Sequence, residues 1–126
     1  MRPKSPTLTA HELEMMKIVW QHDAPVTVRD VYEALRARRR IAYTSVLTVM
    51  NVLERKGHLK KRAEGRSFVY QAARPRGQVL RGMVREFVER VFGGATEPLL
   101  VHLLEDRKLT RRDLEALTRR VREGPK

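Results

Sequence analysis

Apolar residues recur at intervals of three and four positions in three segments of the N-terminal half. Because an α-helix has about 3.6 residues per turn, this spacing predicts three helices, over residues 9–21, 27–38 and 44–56. Thr9 and Thr27 each stand three positions before an acidic residue, the capping-box pattern of a helix N-terminus. The three apolar stripes consist of Leu13, Met16 and Trp20, of Val28, Val31 and Leu35, and of Val46, Val49, Met50 and Leu53.

A glycine ends the third predicted helix, and a short β-hairpin follows it. Gly57 can adopt the positive φ that commonly terminates a helix. Two strand-like runs, residues 59–63 and 66–71, flank Glu64 and Gly65, which predicts a tight turn between antiparallel strands. The order of three helices and a two-stranded hairpin predicts a winged helix-turn-helix over residues 1–74.

Beyond Pro75 the pattern is that of helices without strands. One long helix is predicted to end at Gly93 and Gly94, and Thr96 and Thr110 are predicted to cap two further helices. The narrow apolar stripes of these helices would bury little surface alone, so we expect residues 75–126 to form a three-helix dimerisation domain with a second copy. Alternatively, they fold back onto the winged helix of the same chain. The residues predicted at the dimer interface are Val79, Met83, Phe87, Leu99, Leu103, Leu114 and Leu117.

The resulting fold class is mainly α with a small β-hairpin, and charge is unevenly distributed over it. The 126 residues include 27 Lys and Arg against 15 Asp and Glu, a formal net charge of +12. Residues 1–74 hold 15 basic and 7 acidic side chains, whereas residues 75–126 hold 12 and 8. Because basic side chains on phosphates release counterions, this excess favours double-stranded DNA as a partner. An anionic membrane surface or an acidic protein would also suit the charge alone.

The polar face of the third predicted helix carries candidates for reading bases in the major groove. Hydroxyl groups can donate or accept hydrogen bonds there, and an asparagine can read adenine or reach a phosphate. Thr44 could instead only cap the helix, and Tyr43 is expected to pack rather than to read bases. The predicted base-reading residues are Thr44, Ser45, Thr48 and Asn51. The predicted phosphate contacts, each of which could instead be a solvated surface residue, are Arg55, Lys60, Lys61, Arg62 and Arg66.

The sequence gives little support for disulfides, metal binding, catalysis or membrane insertion. The absence of Cys excludes disulfides, Cys-ligated zinc and a thiol nucleophile. The four His residues are scattered and there is no Gly-rich phosphate loop, so we expect no metal site, no cofactor and no catalytic residues. The N-terminal segment lacks the apolar region of a signal peptide, and no apolar run approaches the ~18 residues of a membrane span. We therefore expect a cytoplasmic protein without membrane insertion.

Taken in order and spacing, five segments resemble the penicillinase and methicillin-resistance repressor family, which includes the BlaI, MecI and CopY regulators. The resemblance covers nearly the whole chain. It implies a dimeric repressor that binds pseudo-palindromic operators of β-lactam-resistance or related stress genes. The segments are LTAHELEMMKIVW at residues 8–20, YTSVLT at 43–48, RKG at 55–57, EGRSFVY at 64–70 and FVERVFGG at 87–94.

The resemblance also implies a mode of release. In the penicillinase branch, a membrane sensor with a metalloprotease domain triggers cleavage within the dimerisation domain. The scissile Asn-Phe pair of the family falls on His102 and Leu103 here, which makes this bond a possible cleavage site with altered residues. His102 is otherwise expected to be a partly buried structural residue. The Cys-x-Cys pair of the copper branch is absent, which excludes copper sensing by thiolates.

Two other functions are compatible with the same sequence. Some winged helices serve as protein-interaction modules, because a fold does not dictate a function. A repressor of this architecture could also be released by a small ligand held between the C-terminal helices.

Overall fold

The computed structural model describes residues 7–123, which form two compact units, one ending at Met83 and the other beginning at Val84. The sequence predicts a domain boundary after Arg74. The two compact units of the structure instead divide between Met83 and Val84, inside a helix. Residues 1–6, which belong to the N-terminal segment where no signal peptide is expected, lie outside the described residues. No helix among the described residues is long and apolar enough to cross a membrane. The elements are α1 (Ala10–Gln21), α2 (Val28–Arg36), α3 (Tyr43–Arg55), β1 (Leu59–Glu64), β2 (Ser67–Ala72), α4 (Arg76–Phe92), α5 (Glu97–Glu105) and α6 (Arg111–Glu123).

Capping boxes begin α1 and α2 as predicted. The Thr9 hydroxyl accepts from the backbone N–H of Glu12 at 3.2 Å, and the Glu12 carboxylate accepts from that of Thr9 at 2.9 Å. Thr27 and Asp30 repeat this exchange at 3.0 and 2.9 Å. These reciprocal bonds satisfy backbone donors that the first helical turn leaves without intrahelical partners.

The two predicted caps of the C-terminal helices differ in outcome. Thr110 and Asp113 form the expected pair of hydrogen bonds before α6. Thr96 precedes α5, but its side chain makes no capping hydrogen bond. Its backbone is helical, with φ −87° and ψ −24°, whereas a capping side chain requires an extended backbone. The prediction of a Thr96 cap was therefore wrong.

The hairpin is confirmed, with a shift of one residue in its turn. Strands β1 and β2 pair antiparallel from Leu59 opposite Ala72 to Glu64 opposite Ser67. The two loop residues are consequently Gly65 and Arg66, rather than the predicted Glu64 and Gly65. Gly65 has φ +63°, which is what the first central position of a type II′ hairpin turn requires.

A third short stretch of backbone extends the sheet beyond the prediction. Val26, in the loop between α1 and α2, forms an isolated antiparallel bridge with Tyr70 of β2. The N–H of Val26 donates to the Tyr70 carbonyl at 2.9 Å, and the N–H of Tyr70 donates to the Val26 carbonyl at 2.7 Å. The base of the hairpin is therefore attached to the loop that leads into α2.

The core of the first unit is made by α1, α2, α3 and the hairpin base, and it also takes in the start of α4. Val79 is buried in this core and Met83 packs against it. Both had been predicted at the dimer interface, but their side chains contact the winged helix of their own chain. The fully buried residues of this core, by volume, are Tyr70, Met15, Met16, Leu35, Met50, Leu53, Val26, Val31 and Val46.

The second unit has little interior. Neither α5 nor α6 contains a buried residue within the described part of the chain. His102 is exposed, with its imidazole 3.8 Å from the Glu105 carboxylate, so the prediction of a partly buried histidine was wrong. The reason is that the Leu-rich helix α5 is not a core helix in a single chain.

Candidate nucleic-acid interface

The outer face of α3 presents hydroxyl groups to solvent. Residues three and four positions apart share a helix face, so Thr44 and Thr48 lie together, opposite the buried stripe. These side chains are exposed and make up the surface of the helix rather than part of its packing. The exposed hydroxyl residues are Thr44, Ser45 and Thr48. The fully buried apolar residues of the opposite face are Val46, Met50 and Leu53.

The N-terminus of α3 settles the role of two residues. Ala42 is the N-cap and makes no side-chain capping bond, so Thr44, the second residue of the helix, is not the cap. Tyr43 opens the helix and packs edge-on against Tyr32, with 5.4 Å between the ring centroids. It nevertheless remains 40% exposed, which confirms the predicted packing only in part.

Asn51 has a structural contact that sequence reasoning missed. It is half-buried, and its side-chain carbonyl accepts a hydrogen bond from the Tyr70 hydroxyl at 3.2 Å. Burial raises the pKa of Tyr70, and the nearby Glu54 carboxylate raises it further, so this phenol stays a neutral donor. To recognise an adenine, an asparagine forms two hydrogen bonds with the same base, one through its side-chain oxygen and one through its side-chain nitrogen. The Tyr70 bond therefore competes with base reading by Asn51 and ties the hairpin base to α3.

The hairpin distributes its cations over both faces, because side chains alternate along a strand. Lys61 shares a face with Phe68 and lies 4.8 Å from the centroid of that exposed ring. Arg62 lies on the other face and donates to Glu64 at 3.1 Å. The predicted phosphate contacts are all exposed in the structure, and they are Lys60, Lys61 and Arg62 on β1, Arg66 at the turn and Arg55 in the last turn of α3.

Two carboxylates of α1 hold the chain on either side of α3. Glu12 accepts two hydrogen bonds from the Lys56 ammonium, at 2.8 and 3.0 Å, directly after α3 ends. Glu14 accepts two from the Arg39 guanidinium, at 2.7 and 3.3 Å, before α3 begins. These partners lie 44 and 25 positions apart in sequence, so no local pattern indicates them.

The ion pairs shift the pKa of both carboxyl groups. The Arg39 hydrogen bond holds the pKa of Glu14 below its usual value, against a smaller opposing effect of burial. At Glu12 burial alone would raise the pKa, but the Lys56 ammonium and the Thr9 hydrogen bonds together outweigh it. The pKa of Glu12 is consequently lowered as well, and both groups are charged at neutral pH.

The other predicted site residues lie elsewhere in the fold. His102 and Leu103, at the family's cleavage position, are consecutive residues of α5, the first exposed and the second half-buried. Within residues 7–123, no group of three or more His, Cys, Asp or Glu side chains is placed to hold a metal ion. Within the described residues, the predicted DNA-binding side chains thus lie on α3 and the hairpin.

Comparison with known proteins identifies the architecture. Residues 8–123 match the family model of the penicillinase repressor. The chain is 35% identical over 95 residues to the transcriptional regulator BlaI of Mycobacterium tuberculosis, covering 75% of this chain and 69% of that protein. It is 25% identical over 114 residues to the penicillinase repressor of Bacillus licheniformis, covering 90% and 88%.

Two of the solved structures that match cover about three fifths of the chain. The solution structure of the DNA-binding domain of the repressor BlaI aligns with a TM-score of 0.53 at 29% identity, covering 60% of this chain and 90% of that one. Monomeric BlaI of Bacillus licheniformis, solved with the blaP half-operator, aligns with a TM-score of 0.50 at 30% identity. That alignment covers 59% of this chain and 89% of the other. These matches confirm a winged helix of this family.

Proposed function

The chain belongs to the penicillinase repressor family, and we propose that it is a homodimer that represses transcription by binding a pseudo-palindromic operator. The operator overlaps a promoter, so the bound dimer sterically blocks the polymerase. The regulated genes are those of β-lactam resistance or a related stress response. The observation that carries the proposal is the exposed hydroxyl face of α3 beside a cationic hairpin.

The division of labour between helix and hairpin supports sequence-specific binding. Small hydroxyl side chains let the helix approach base edges closely, and they exchange hydrogen bonds with those edges. Lysine and arginine side chains on the hairpin bind backbone phosphates, which fix the position of the protein but carry no sequence information. A related repressor of known structure was solved with a half-operator, and this chain aligns with 89% of that repressor chain.

The apolar surface of the second unit supports dimerisation. Phe87, Leu100 and Leu117 are large apolar residues exposed on α4, α5 and α6. A unit with so few buried side chains gains little from the hydrophobic effect in a single chain, so a second copy is the simplest cover for this surface. Two-fold symmetry would then match the two halves of a pseudo-palindrome. Of the predicted interface, the part retained in this proposal is Phe87, Leu99, Leu103, Leu114 and Leu117.

A titration against two duplexes tests the proposal. Fluorescence anisotropy would compare a labelled duplex from upstream of the protein's own gene with a scrambled duplex of equal length and composition, at one salt concentration. Specific sites are typically bound about 10³-fold or more tightly than unrelated DNA. Equal affinity for both duplexes would contradict the proposed repressor and favour the protein-interaction module instead.

For release we propose cleavage within α5, at His102–Leu103, by a membrane sensor protease system, or else a small-ligand inducer. His102 is exposed and is not among the proposed interface residues, which supports access by a protease from that side of α5. The experiment follows operator release and chain length together after the inducing stress. Release with a shortened chain supports proteolysis, and a substitution of the exposed His102 that blocks cleavage would locate the bond. Release with an intact chain contradicts proteolysis and supports the ligand.

A further inference from the structure

Two arginines and two tyrosines form a surface cluster where α2 meets the start of α3. The Arg29 guanidinium lies 5.9 Å from the ring centroid of Tyr43, and that of Arg36 lies 5.6 Å from the centroid of Tyr32. The two rings touch edge to face. Glu33 lies between the arginines, 3.0 Å from Arg29 and 3.8 Å from Arg36. The cluster thus comprises Arg29, Tyr32, Glu33, Arg36 and Tyr43.

The cluster is exposed and positively charged. The side chain of Arg29 is 68% exposed and that of Arg36 is 56% exposed, so both guanidinium groups reach solvent. Two positive charges share one carboxylate, which leaves an excess of one. Ion pairs at this degree of exposure contribute little to stability, so the arrangement has little value as a structural brace.

The position of the cluster adjoins the proposed base-reading face. Tyr43 immediately precedes Thr44 in α3, and Arg29 lies over the Tyr43 ring. In helix-turn-helix docking, the helix before the recognition helix crosses the DNA backbone while the recognition helix enters the groove. A cation held beside the first turn of α3 is therefore placed near phosphates when Thr44 and Thr48 are near bases.

We propose that Arg29 and Arg36 bind backbone phosphates of the operator, with the two tyrosine rings as platforms that hold the guanidinium groups. This proposal rests on the proposed function and adds a phosphate site on α2, separate from the hairpin. A guanidinium presents its donors in a planar fork that suits phosphate oxygens, and it stacks on aromatic rings. Glu33 competes with the phosphate for both arginines and repels the DNA.

Removing one charge at a time tests the site. Arg29→Gln and Arg36→Gln should each weaken binding to the operator and to the scrambled duplex alike, by about three- to tenfold near 0.15 M salt. Each should also lower the slope of log affinity against log salt by about one. Glu33→Gln should act in the opposite direction and strengthen binding to both duplexes, because it removes the competing charge.

Arg112→Gln is the matched control. Arg112 is an exposed arginine of α6, away from the apolar stripe of that helix, and it has no proposed contact with DNA. Its substitution removes the same charge and should leave the affinity within about twofold, with the salt slope unchanged. If Arg29→Gln behaves like Arg112→Gln while the unsubstituted protein still prefers its operator, the phosphate site is wrong and the repressor proposal stands. If the unsubstituted protein has no preference, the repressor proposal itself is wrong.

A double substitution tests whether the Tyr43 ring acts by holding Arg29. Tyr43→Leu should weaken binding in the otherwise unsubstituted protein but have no further effect in the Arg29→Gln background, since the ring acts through the guanidinium. Circular dichroism melting of each variant would show whether the fold is retained. An equal loss in both backgrounds would overturn the platform role.

Discussion

Thr48 lies on the exposed side of α3, one helical turn after Thr44. Lys61 lies on the hairpin, over the ring of Phe68. In the proposed complex, the first contacts a base and the second contacts the DNA backbone. Single substitutions at these two residues should therefore weaken DNA binding in different ways.

Thr48→Ala should weaken operator binding by about 1 kcal/mol or more and leave the affinity for a scrambled duplex nearly unchanged, because it removes a base contact but no charge. Lys61→Ala should weaken both and reduce the salt slope by about one. Anisotropy titrations at three salt concentrations measure both quantities. Identical effects of the two substitutions would contradict separate base and phosphate contacts.

At the same scale, Asn51 marks the limit of what the sequence could predict. Its helical spacing placed it correctly on the polar side of α3, since that follows from local periodicity. Its bond to the Tyr70 hydroxyl depends on how the hairpin packs on the helix, 19 positions away. The local pattern contains no information on that packing, so the structural role of the amide was missed.

Among the elements, α1 supplies core residues and also forms ion pairs on both sides of α3. Glu12 and Glu14 bind Lys56 and Arg39, which stand on either side of α3. The Glu12 side chain is 7% exposed and that of Lys56 is 39% exposed, so this pair is better shielded than the surface pairs. The orientation of α3 against α1 is thereby fixed at both ends.

The lowered pKa values of Glu12 and Glu14 predict the pH dependence of stability. A carboxyl group whose pKa is lower in the folded than in the unfolded chain stabilises the fold above its usual pKa, 4.5. This contribution is lost as the pH falls below 4.5 through the folded-state values. Denaturant unfolding at a series of pH values should show a decline over this acid range. Glu12→Gln should lower the free energy of unfolding at pH 7 by about 1–2 kcal/mol and flatten the decline.

Glu64→Gln is the control for that experiment. Its carboxylate pairs with Arg62 on the exposed hairpin, so its loss should change the free energy of unfolding by less than about 0.5 kcal/mol. A Glu12 variant with the stability and pH profile of the Glu64 variant would contradict a bracing role for α1.

The elements themselves were largely predictable, because helices and hairpins depend on local spacing and on caps such as Thr9 and Thr27. The errors occurred where tertiary contacts or backbone geometry decided the outcome. Val26 joins the sheet only because Tyr70 lies opposite it, and Thr96 fails to cap because its own backbone is already helical. Val79 satisfies the periodicity of a dimer stripe, but periodicity does not say which surface covers it.

For the whole molecule, the apolar stripe of α6 provides a test of assembly. Leu117→Arg places a charge on an exposed apolar residue, so it should leave the single chain folded but separate the dimer. Sedimentation velocity should show the unsubstituted protein at twice the chain mass and the variant at the chain mass. Operator affinity should fall with it, because one chain binds only one half-site.

Ala116→Arg is the matched control, since Ala116 is exposed on α6 but lies off the stripe formed by Leu114, Leu117 and Val121. It should remain dimeric. A dimeric Leu117→Arg variant would exclude this stripe from the interface, and a monomeric unsubstituted protein would contradict the homodimer altogether.

Tyr70 joins three parts of the winged helix: its backbone pairs with Val26, its strand with β1, and its hydroxyl with Asn51. Toward the turn, residues 63–68 are all exposed, and within the described part of the chain the two strands pair there only with each other. The hairpin is therefore anchored at its base, to Val26 and Asn51, and exposed to solvent at its tip. In the proposed complex, adaptation to duplexes of different width and curvature would therefore fall to the tip, whereas the base stays bonded to α3 through Tyr70 and Asn51.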